Sequence, residues 1–474
     1  MNRNNIWIHI GIAVVLVTMA AVVGQIDRWR AGLKVTNMRT AKPGAKSVPV
    51  PSRNNQPEVL VRFKSGVSMD EIRRIAAAHN EKIDDEIESV NGLTILDDLD
   101  NADPKTVAEE YSRMTDKVDY AEPNTEVKFD DPIPSTFSPK YVSESEKEVL
   151  DIPDDPQFEQ QWALNNLGDN NGKAGADIGA LNAWKKTHGS SDVVVAVLDS
   201  GVDYTHIDLQ SNMWLRPDNV PAYVDDELGS FNDEHGYNGT DQYADPMDDN
   251  GHGTHCAGII GAEGDNSEGI AGINWHVQIM PLKFLGRAGF GTTADAIKAI
   301  NYAIDRKKHG VNVRVINASW GGTSKSKALE DTIRAAGDAG ILFVAAAGND
   351  GSNNDSRPHY PSNYDLPNVI SVAALDRTDT LTSFSNFGVK TVHVAAPGKD
   401  ILSTWLGDAY RDASGTSMAA PQVSGEAALI LSKEPNLSVE KLKARILASV
   451  DKIESLNGKI MSGGRINAAK ALGE

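Results

Sequence analysis

Three short segments, far apart in the chain, carry an aspartate, a histidine and a serine in settings that suit acyl-transfer chemistry. They are Val195 to Gly201 (VAVLDSG), Asn250 to Gly258 (NGHGTHCAG) and Ser414 to Pro421 (SGTSMAAP). A serine hydroxyl becomes a strong nucleophile when an imidazole accepts its proton and a carboxylate orients that imidazole. The order Asp, His, Ser is one of the chain orders in which this arrangement occurs. The three segments therefore predict an orienting acid, a general base and a nucleophile.

The acid and the base are predicted to be Asp199 and His252. Asp199 closes the apolar run VVVAVL, so its carboxylate should lie at the end of a buried strand, where it can accept a hydrogen bond from one imidazole nitrogen. His252 lies between two glycines that allow close approach of the backbone. His255 follows three residues later, which raises the alternative of a metal site. That alternative is disfavoured because HExxH spacing is missing and the single cysteine, Cys256, cannot complete a thiolate site. We expect His255 to be a packed, hydrogen-bonded core residue.

The nucleophile and its anion-stabilising partner are predicted to be Ser417 and Asn349. Ser417 precedes a predicted helix, so its hydroxyl should lie near backbone N–H groups and the positive end of the helix dipole. Asn349 follows directly after the predicted strand Ile341 to Ala347. Its uncharged amide could donate a second hydrogen bond to a developing oxyanion.

From about residue 154, apolar runs alternate with amphipathic stretches, a pattern that predicts an α/β domain whose parallel sheet is covered on both faces. The predicted strands are Val193 to Leu198, Val313 to Asn317, Ile341 to Ala347, Val369 to Ala374 and Val392 to Ala396. The predicted helices are Thr293 to Lys307, Lys325 to Asp338 and Ala419 to Ser432. In such sheets functional residues lie at the carboxyl ends of strands and at the starts of the helices that follow. Asp199, Asn349 and Ser417 fall at such places.

Residues 57 to 129 are predicted to form a separate small α+β domain. The expected order is strand, helix, hairpin, helix, strand, which is ferredoxin-like. The elements are a strand at Glu58 to Lys64, a helix at Met69 to Asn80, a hairpin at Ile87 to Asp97, a helix at Asp103 to Lys117, and a last strand ending near Phe129. Residues 130 to 153 are acidic and proline-rich, so we expect an exposed connector that proteases can reach.

The N-terminus predicts export. Ile6 to Val23 is an apolar run behind Arg3, which is typical of a signal peptide or a membrane anchor within residues 1 to 25. A polar linker over residues 26 to 56 follows. We expect an extracellular or cell-envelope location, with cleavage or retention of the apolar segment left open.

Composition excludes some classes of function. The chain has 46 Lys and Arg against 66 Asp and Glu, a formal charge of −20, so nothing indicates nucleic-acid binding. Its one cysteine excludes an intrachain disulfide, so a large core or a bound metal must stabilise an exported form.

Taken together, the motifs VAVLDSGVD, GHGTHCAG, NASWGG, AAAGN and SGTSMAAP closely resemble the subtilisin family over residues 154 to 472. The resemblance implies a subtilisin-like three-layer domain over 154 to 474 and serine endopeptidase activity. Asp199, His252 and Ser417 would be the triad and Asn349 the oxyanion donor. Residues 57 to 129 resemble an inhibitory propeptide, particularly at Val118 to Lys128 (VDYAEPNTEVK). GHGTHCAG is similar to the thermitase and proteinase K branches, which makes Cys256 a mercury-sensitive bystander beneath the histidine.

The resemblance also implies how an extended substrate would bind. Two edge strands would pair with its backbone, and a side-chain pocket would have its floor near His359 and Asp350 close to its rim. The substrate-binding residues would be Ser319, Trp320, Gly321, Gly289, Phe290, Gly291, Ala346, Ala347 and Gly348. Pairing through the backbone tolerates many sequences, and we expect only a preference for medium or large apolar residues. A histidine at the floor differs from the small residue that the family often has there.

Calcium is the cofactor that the resemblance implies. The side chains of Asp155, Asp208 and Asn266, with backbone oxygens of Glu263, Glu268 and Ile270, would bind it, and hard oxygen ligands suit this ion. The acidic segment Asp241 to Asp249 could hold a second ion or be a solvated loop. A monovalent-ion site of some relatives is not expected, because His393 stands where they have an acid.

The expected partners are protein or peptide substrates and the chain's own propeptide, in a monomer. Two alternatives remain. One is an inactive subtilisin-fold binding protein, which an intact triad argues against. The other is a dedicated processing protease tethered to the membrane, which retention of Ile6 to Val23 would favour. A lipase is excluded because the chain lacks a GxSxG elbow and has another triad order.

Overall fold

The computed structural model describes residues 58–129, 133–134, 152–225, 229–230, 233–240 and 245–473. The predicted signal or anchor segment and the linker after it lie outside these residues. Within the described part, no helix is both long enough and apolar enough to cross a bilayer.

The N-terminal domain is a four-stranded antiparallel sheet covered on one face by two helices. Its elements are β1 (Glu58–Phe63), α1 (Met69–Ala78), β2 (Glu81–Glu86), β3 (Leu93–Asp98), α2 (Pro104–Ser112) and β4 (Val118–Pro123). The strand order β2-β3-β1-β4 agrees with the predicted ferredoxin-like connection. Each helix begins where a side-chain oxygen accepts a backbone N–H bond: Ser68 from Glu71, and Asp103 from Thr106.

Two boundaries in this domain were predicted wrongly. The hairpin runs from Glu81 to Asp98 and not from Ile87 to Asp97, because its first strand is the polar segment EKIDDE, which has no apolar alternation. The second helix ends at Ser112, well before Lys117, because the chain turns there to start β4 at Val118.

Two short strands leave the N-terminal domain and join the larger one. Strand β5 (Glu126–Lys128) pairs with β12 (Phe290–Thr292), and β6 (Ile133–Pro134) pairs with β18 (Ala409–Ser414), both antiparallel. The chain therefore contacts two different edges of the larger domain within nine residues of sequence.

The larger domain is built on a nine-stranded sheet in the order β10-β11-β7-β13-β14-β15-β16-β20-β19. Its pairings are parallel except for β19 with β20. The strands are β7 (Gly189–Asp199), β8 (Val224–Asp225), β9 (Gly229–Ser230), β10 (Tyr237–Asn238), β11 (His276–Lys283), β12, β13 (Val313–Ala318), β14 (Leu342–Ala346), β15 (Val369–Leu375), β16 (Val394–Pro397), β17 (Ile401–Trp405), β18, β19 (Asp451–Lys452) and β20 (Gly464–Arg465). The helices are α3 (Ala180–Trp184), α4 (His252–Gly261), α5 (Thr293–Lys308), α6 (Lys327–Asp338), α7 (Thr416–Lys433), α8 (Val439–Ala448) and α9 (Ala468–Ala471), with short 3₁₀ turns at Phe158–Gln160, Gln210–Asn212 and Glu454–Leu456.

The predicted strands and helices of this domain are confirmed to within four residues at each end. The central strand β7 shows why, since its apolar residues are buried on both faces. Val193, Val195 and Val197 pack in the core layer that holds α4 and α7, whereas Val194 and Leu198 pack on the opposite side, with α5 and α6. Three layers therefore hold the carboxyl end of β7 in place.

Two buried carboxyl groups face each other within the N-terminal domain. Glu81 and Asp98 are directly paired across β2 and β3, and they are 6% and 0% exposed. Glu81 Oε2 has no hydrogen-bond partner in the described part of the chain. Burial, together with the neighbouring carboxyls of Asp98, Asp100 and Glu110, raises the pKa of Glu81 to about 7.

This pair predicts that the N-terminal domain loses stability as pH rises. The pKa of Glu81 rises on folding from 4.5 to about 7, so the folded form binds the proton more tightly. Its contribution should be complete below about pH 4.5, should fall through the interval up to pH 7, and should then stay constant. Pulse proteolysis of this domain in urea, in full-length Ser417→Ala, should show greater resistance at pH 5 than at pH 8. Glu81→Gln should flatten the difference, whereas the exposed control Glu109→Gln should keep it.

Candidate active site

The structure joins two of the predicted triad residues, Asp199 and His252, directly and places Ser417 on a helix that contacts α4. Asp199 is the last residue of β7, His252 is the first of α4, and Ser417 lies in the first turn of α7. The Nδ1 atom of His252 lies 2.8 and 3.0 Å from the two carboxylate oxygens of Asp199. The Ser417 hydroxyl donates to the carbonyl of Ser319 at 3.1 Å. All three side chains are buried.

Two glycines beside His252 make its approach to Asp199 possible. Gly251 has φ of +108°, and a Cβ there would lie 2.5 Å from the ring of Trp405. A Cβ at Gly253 would lie 2.0 Å from the carbonyl oxygen of Gly201, just after Asp199. Any larger residue at either position would push the base away from its carboxylate.

A second buried carboxylate, Asp248, connects the residues after Asp199 with the residues around His252 by hydrogen bonds. It accepts hydrogen bonds from the Ser200 hydroxyl, from the backbone N–H groups of Asn250 and Gly251, and from both the N–H and the hydroxyl of Thr254. The Ser200 N–H in turn donates to Asp199 Oδ1 at 2.7 Å. Sequence analysis missed this role, although an aspartate just before a helix is a recognisable capping signal.

The orientation of the Asn349 side chain is fixed by Thr416. Its Oδ1 accepts hydrogen bonds from the N–H and the hydroxyl of Thr416 at 2.8 and 2.9 Å. Because a backbone N–H can only donate, this contact fixes which end of the amide faces Thr416. The Nδ2 atom is buried and has no hydrogen-bond partner among the described residues. A buried donor without a partner is costly, and a substrate oxyanion would satisfy it.

Removal of this donor should slow the chemical step. We expect Asn349→Ala to lower kcat by roughly 100- to 1000-fold with a smaller change in KM, because the lost hydrogen bond forms mainly in the transition state. Steady-state hydrolysis of a peptide anilide, normalised by active-site titration, measures both constants. Asn182→Ala, on an exposed part of α3, is the matched control and should retain the wild-type constants. A loss confined to KM would contradict this assignment.

The two predicted substrate edges hold a segment of the chain itself. Strand β5 pairs with β12, the carbonyl of Lys128 accepts from the N–H of Gly321 at 3.2 Å, and the N–H of Phe129 donates to the carbonyl of Gly289 at 3.4 Å. Extended backbone is therefore bound between 289–291 and 319–321, as expected for recognition by strand addition.

Phe129 covers the side chain of His252. Its ring stacks on the imidazole of His252 with centroids 4.6 Å apart and planes 9° from parallel. A Cβ at Gly289 would lie 2.1 Å from this ring, so Phe129 fills a slot between Gly289 and His252. In this arrangement the imidazole face is closed to another peptide.

His359 lies where the floor of the side-chain pocket was predicted. A Cβ at Gly321 would lie 2.2 Å from its Cε1, and a Cβ at Gly348 would lie 2.9 Å from its Cδ2. The ring is therefore wedged between the two predicted pocket walls, 319–321 and 346–348. It is 3% exposed, while Asp350 is exposed.

The interface with the N-terminal domain combines a shared apolar cluster with polar contacts. Asp84 and Lys298 form an ion pair at 2.6 Å in which both side chains are 2% exposed. The carboxylate of Glu122 accepts from the N–H groups of Lys327 and Ala328 at the start of α6, at 2.9 and 3.2 Å. Such capping satisfies helix donors that would otherwise be exposed or unpaired.

The predicted calcium ligands also come together. Asp208 accepts from the Asn266 amide at 3.0 Å and from the N–H of Ile270 at 2.9 Å, and Asp155 accepts from the N–H of Asp265 at 2.8 Å. Asp155 Oδ1 is buried without a hydrogen-bond partner in the described structure. Burial, with Asp208 nearby, raises the pKa of Asp155 to about 6, and burial also raises the pKa of Asp208. Two buried carboxylates beside an amide and a loop are a donor set that fits calcium.

The described carboxylates of the acidic segment 241–249 have hydrogen-bond or ion-pair partners within the protein. Asp248 is satisfied by the donors described above, Asp249 pairs with Lys283 at 2.6 Å, and Asp245 accepts from Tyr204 and from the N–H of Met247. Residues 241 to 244 lie outside the described part, so a second ion in this segment stays a prediction.

His255 and Cys256 are core residues. His255 Nε2 contacts the carbonyls of Ile401 and Arg411 at 3.1 and 2.9 Å, and burial lowers the pKa of His255 to about 3. Burial likewise raises the pKa of the Cys256 thiol, which donates to the carbonyl of Ser417 at 3.5 Å. The prediction that His255 is a packed core residue is confirmed.

Comparison with known proteins agrees with this geometry. The subtilase family model matches residues 190–463. The chain is 41% identical over 290 residues to a thermophilic serine proteinase of Bacillus sp. (strain AK1), covering 61% of this chain and 64% of that protein, and 37% identical over 295 residues to thermitase of Thermoactinomyces vulgaris, covering 62% and 93%. The chain thus spans less than two thirds of the first of these relatives. It belongs to the subtilase family.

Two further comparisons bear on location and on fold. The chain is 34% identical over 299 residues to a halolysin-like extracellular serine protease of Natrialba magadii, covering 62% of this chain and 48% of that protein. The solved structure of fervidolysin, from Fervidobacterium pennivorans, superposes with a TM-score of 0.68 at 23% identity and covers 91% of this chain and 62% of its own. That likeness concerns the fold, which is a subtilisin-like α/β fold with a mostly parallel central sheet.

Proposed function

We propose that this chain is a serine endopeptidase made as a self-inhibited precursor. The observation that carries the proposal is the chain's own segment 126–129, bound between the two substrate edges with Phe129 on the imidazole of His252. A binding protein without catalytic activity would not require the fixed Asp199–His252 pair. It would also not require an amide near Ser417 whose nitrogen, Asn349 Nδ2, lacks a hydrogen-bond partner among the described residues.

The mechanism follows from the contacts. Ser417 attacks a peptide carbonyl while His252 accepts its proton, and Asp199 stabilises the imidazolium that forms. Asn349 donates to the oxyanion together with backbone N–H groups at the start of α7. His252 returns the proton to the leaving amine. Water, activated by the same imidazole, then hydrolyses the acyl-enzyme.

In this proposal residues 57–129 are the inhibitory propeptide and the catalytic domain begins near residue 154. Strand β5 pairs with β12, and β6 pairs with β18 at Ser414, three residues before Ser417. The sequence between Phe129 and Ile133 joins these two pairings, and we expect the first autocatalytic cut there.

Ser417→Ala tests both the activity and the self-cleavage. The variant should keep its propeptide covalently attached, whereas wild type should lose it, as shown by intact mass and N-terminal sequencing. Hydrolysis of casein and labelling by a serine-directed phosphonate should occur only in wild type. A wild-type processing pattern in the variant would overturn autocatalytic maturation. An unlabelled, inactive wild type with normal folding would favour the binding-protein alternative.

We also propose that Asp155, Asp208 and Asn266, with backbone oxygens of Glu263, Glu268 and Ile270, hold a structural calcium ion. Bound calcium would neutralise the repulsion between the two buried carboxylates and would satisfy Asp155 Oδ1. Its role is stability, because the triad contains no ligand of this site.

Calcium should raise the melting temperature of Ser417→Ala. A hundredfold excess of free ion over Kd should add about 2.7 kcal/mol to the free energy of unfolding. Differential scanning calorimetry with calcium and with a chelator measures the shift. Asp155→Asn should abolish most of it, and the exposed control Asp192→Asn should preserve it. An equal shift in Asp155→Asn would place the ion elsewhere.

We propose that the protein acts outside the cytoplasm, in agreement with the apolar segment Ile6 to Val23 behind Arg3. The substrates are proteins or peptides that can present an extended segment to β12 and to residues 319–321. A membrane-tethered processing enzyme is the second candidate. Recovery of the N-terminal segment on the mature protein would distinguish it.

A further inference from the structure

The phenyl ring of Phe129 lies flat on the imidazole of His252. The two ring planes are 9° apart and their centroids are separated by 4.6 Å. Burial alone does not require this orientation, because an aliphatic side chain of the same volume fills the same space. Parallel rings at this separation bring the electron-rich face of the phenyl ring against the imidazole. The contact therefore depends on the aromatic character of the side chain as well as on its size.

The slot that receives this ring is shaped by Gly289. A Cβ on Gly289 would lie 2.1, 2.6 and 2.8 Å from the Cε1, Cζ and Cδ1 atoms of Phe129. The Phe129 N–H donates to the Gly289 carbonyl at 3.4 Å, and the Lys128 carbonyl accepts from the N–H of Gly321 at 3.2 Å. The ring thus enters the slot while its backbone is held between both predicted substrate edges. A substrate that binds in this register presents its corresponding side chain to the same slot.

A ring in the slot does not obstruct the hydrogen bonds of His252. The ring nitrogens of a histidine donate and accept hydrogen bonds in the plane of the imidazole. The Nδ1 atom of His252 lies 2.8 Å from Asp199 while the phenyl ring covers the imidazole face. The stacked side chain therefore occupies a surface of His252 that proton transfer does not use.

The charge of His252 changes during the proposed reaction. The imidazole is neutral before Ser417 attacks, and it becomes a cation when it accepts the hydroxyl proton. A cation over the face of an aromatic ring, within about 6 Å of the centroid, is attracted by the ring quadrupole, and the attraction is stronger when the cation is desolvated. His252 is 0% exposed. A stacked aromatic ring therefore stabilises the transition state more than the ground state, which raises kcat.

We propose that the protease prefers substrates with an aromatic side chain at the position that Phe129 occupies, and that this ring accelerates the chemical step by stabilising the imidazolium of His252. The proposal rests on the proposed endopeptidase function and names a substrate class for the same site. The substrate group is Phe, Tyr or Trp within an extended segment bound along β12. Such a substrate supplies part of the electrostatic environment of the base that cleaves it.

A peptide series separates aromatic character from size. Internally quenched peptides Thr-Glu-Val-Lys-X-Leu-Ser-Gly carry phenylalanine, 4-fluorophenylalanine, pentafluorophenylalanine or cyclohexylalanine at X. Fluorine withdraws electron density from the ring face, and cyclohexylalanine has a similar volume but no π face. We expect kcat to fall in the order given for the three aromatic residues and to be low for cyclohexylalanine, by roughly 3- to 30-fold in total, with a smaller change in KM. Mass spectrometry of the products identifies the cleaved bond. The same four residues in place of Val, with X as Phe, should show no such trend.

A variant tests the slot itself. Gly289→Ala places a Cβ where the ring lies, so the ratio of kcat/KM for X as Phe to that for X as Ala should fall toward one. Comparing two peptides in one variant cancels any general loss of activity from the positive φ of this residue, which is +80°. Gly458→Ala is the matched control, because Gly458 has φ of +73° and no atom within 4 Å of an added Cβ. It should keep the wild-type ratio.

The possible outcomes separate this proposal from the proposed function. An enzyme that reacts with a serine-directed phosphonate but cleaves the cyclohexylalanine or pentafluorophenylalanine peptide with the kcat of the Phe peptide overturns the role of the aromatic ring alone. A fluorine effect confined to KM also overturns it, and an unchanged ratio in an active Gly289→Ala overturns the slot. A chain that neither reacts with the phosphonate nor cleaves any peptide overturns both proposals.

Discussion

The structure depends on an ionisable pair, Asp199 and His252, held out of water. A carboxylate and an imidazole at 2.8 Å in a buried site are stable only when their remaining hydrogen bonds are satisfied. The strand end, the N-terminus of α4 and the Asp248 network all serve this purpose. The glycines around His252 keep the distance short, and the three-layer core keeps β7 from shifting. Much of the fold around the triad can be read as support for this one contact.

The serine side of the site is organised by a different device. Thr416 uses its N–H and its hydroxyl to hold the oxygen end of Asn349, and its hydroxyl also accepts from Gly348. The amide nitrogen is thereby aimed before any substrate arrives. In the proposed mechanism this donor is fixed in advance, so little reorganisation is needed when negative charge develops, which is how preorganised sites lower a barrier.

Sequence patterns predicted the elements that are buried on both faces, such as β7 and β13. A short apolar run bounded by polar turns is compatible with few structures other than a buried strand. They also predicted Asp199, His252, Asn349 and Ser417, whose settings have specific chemistry. They failed where polar residues form structure. The strand Glu81 to Glu86 has no alternation, and Asp248 acts through contacts with segments distant from the three motifs. The pairing of β5 with β12 could not be predicted either, because the register between segments distant in sequence leaves no pattern in either segment.

The attachment of β5 and β6 to one continuous chain has a kinetic consequence. In the proposed precursor, the segment 126–129 on β12 and His252 is an intramolecular ligand, present at the millimolar effective concentration that a short tether provides. Once one bond is cut, the same contacts must hold a separate molecule against dilution, and the buried pair of Asp84 and Lys298 can recover its hydration on separation. Under the proposed function, a single hydrolysis therefore turns a persistent blockade into a reversible one, and dilution favours the active form.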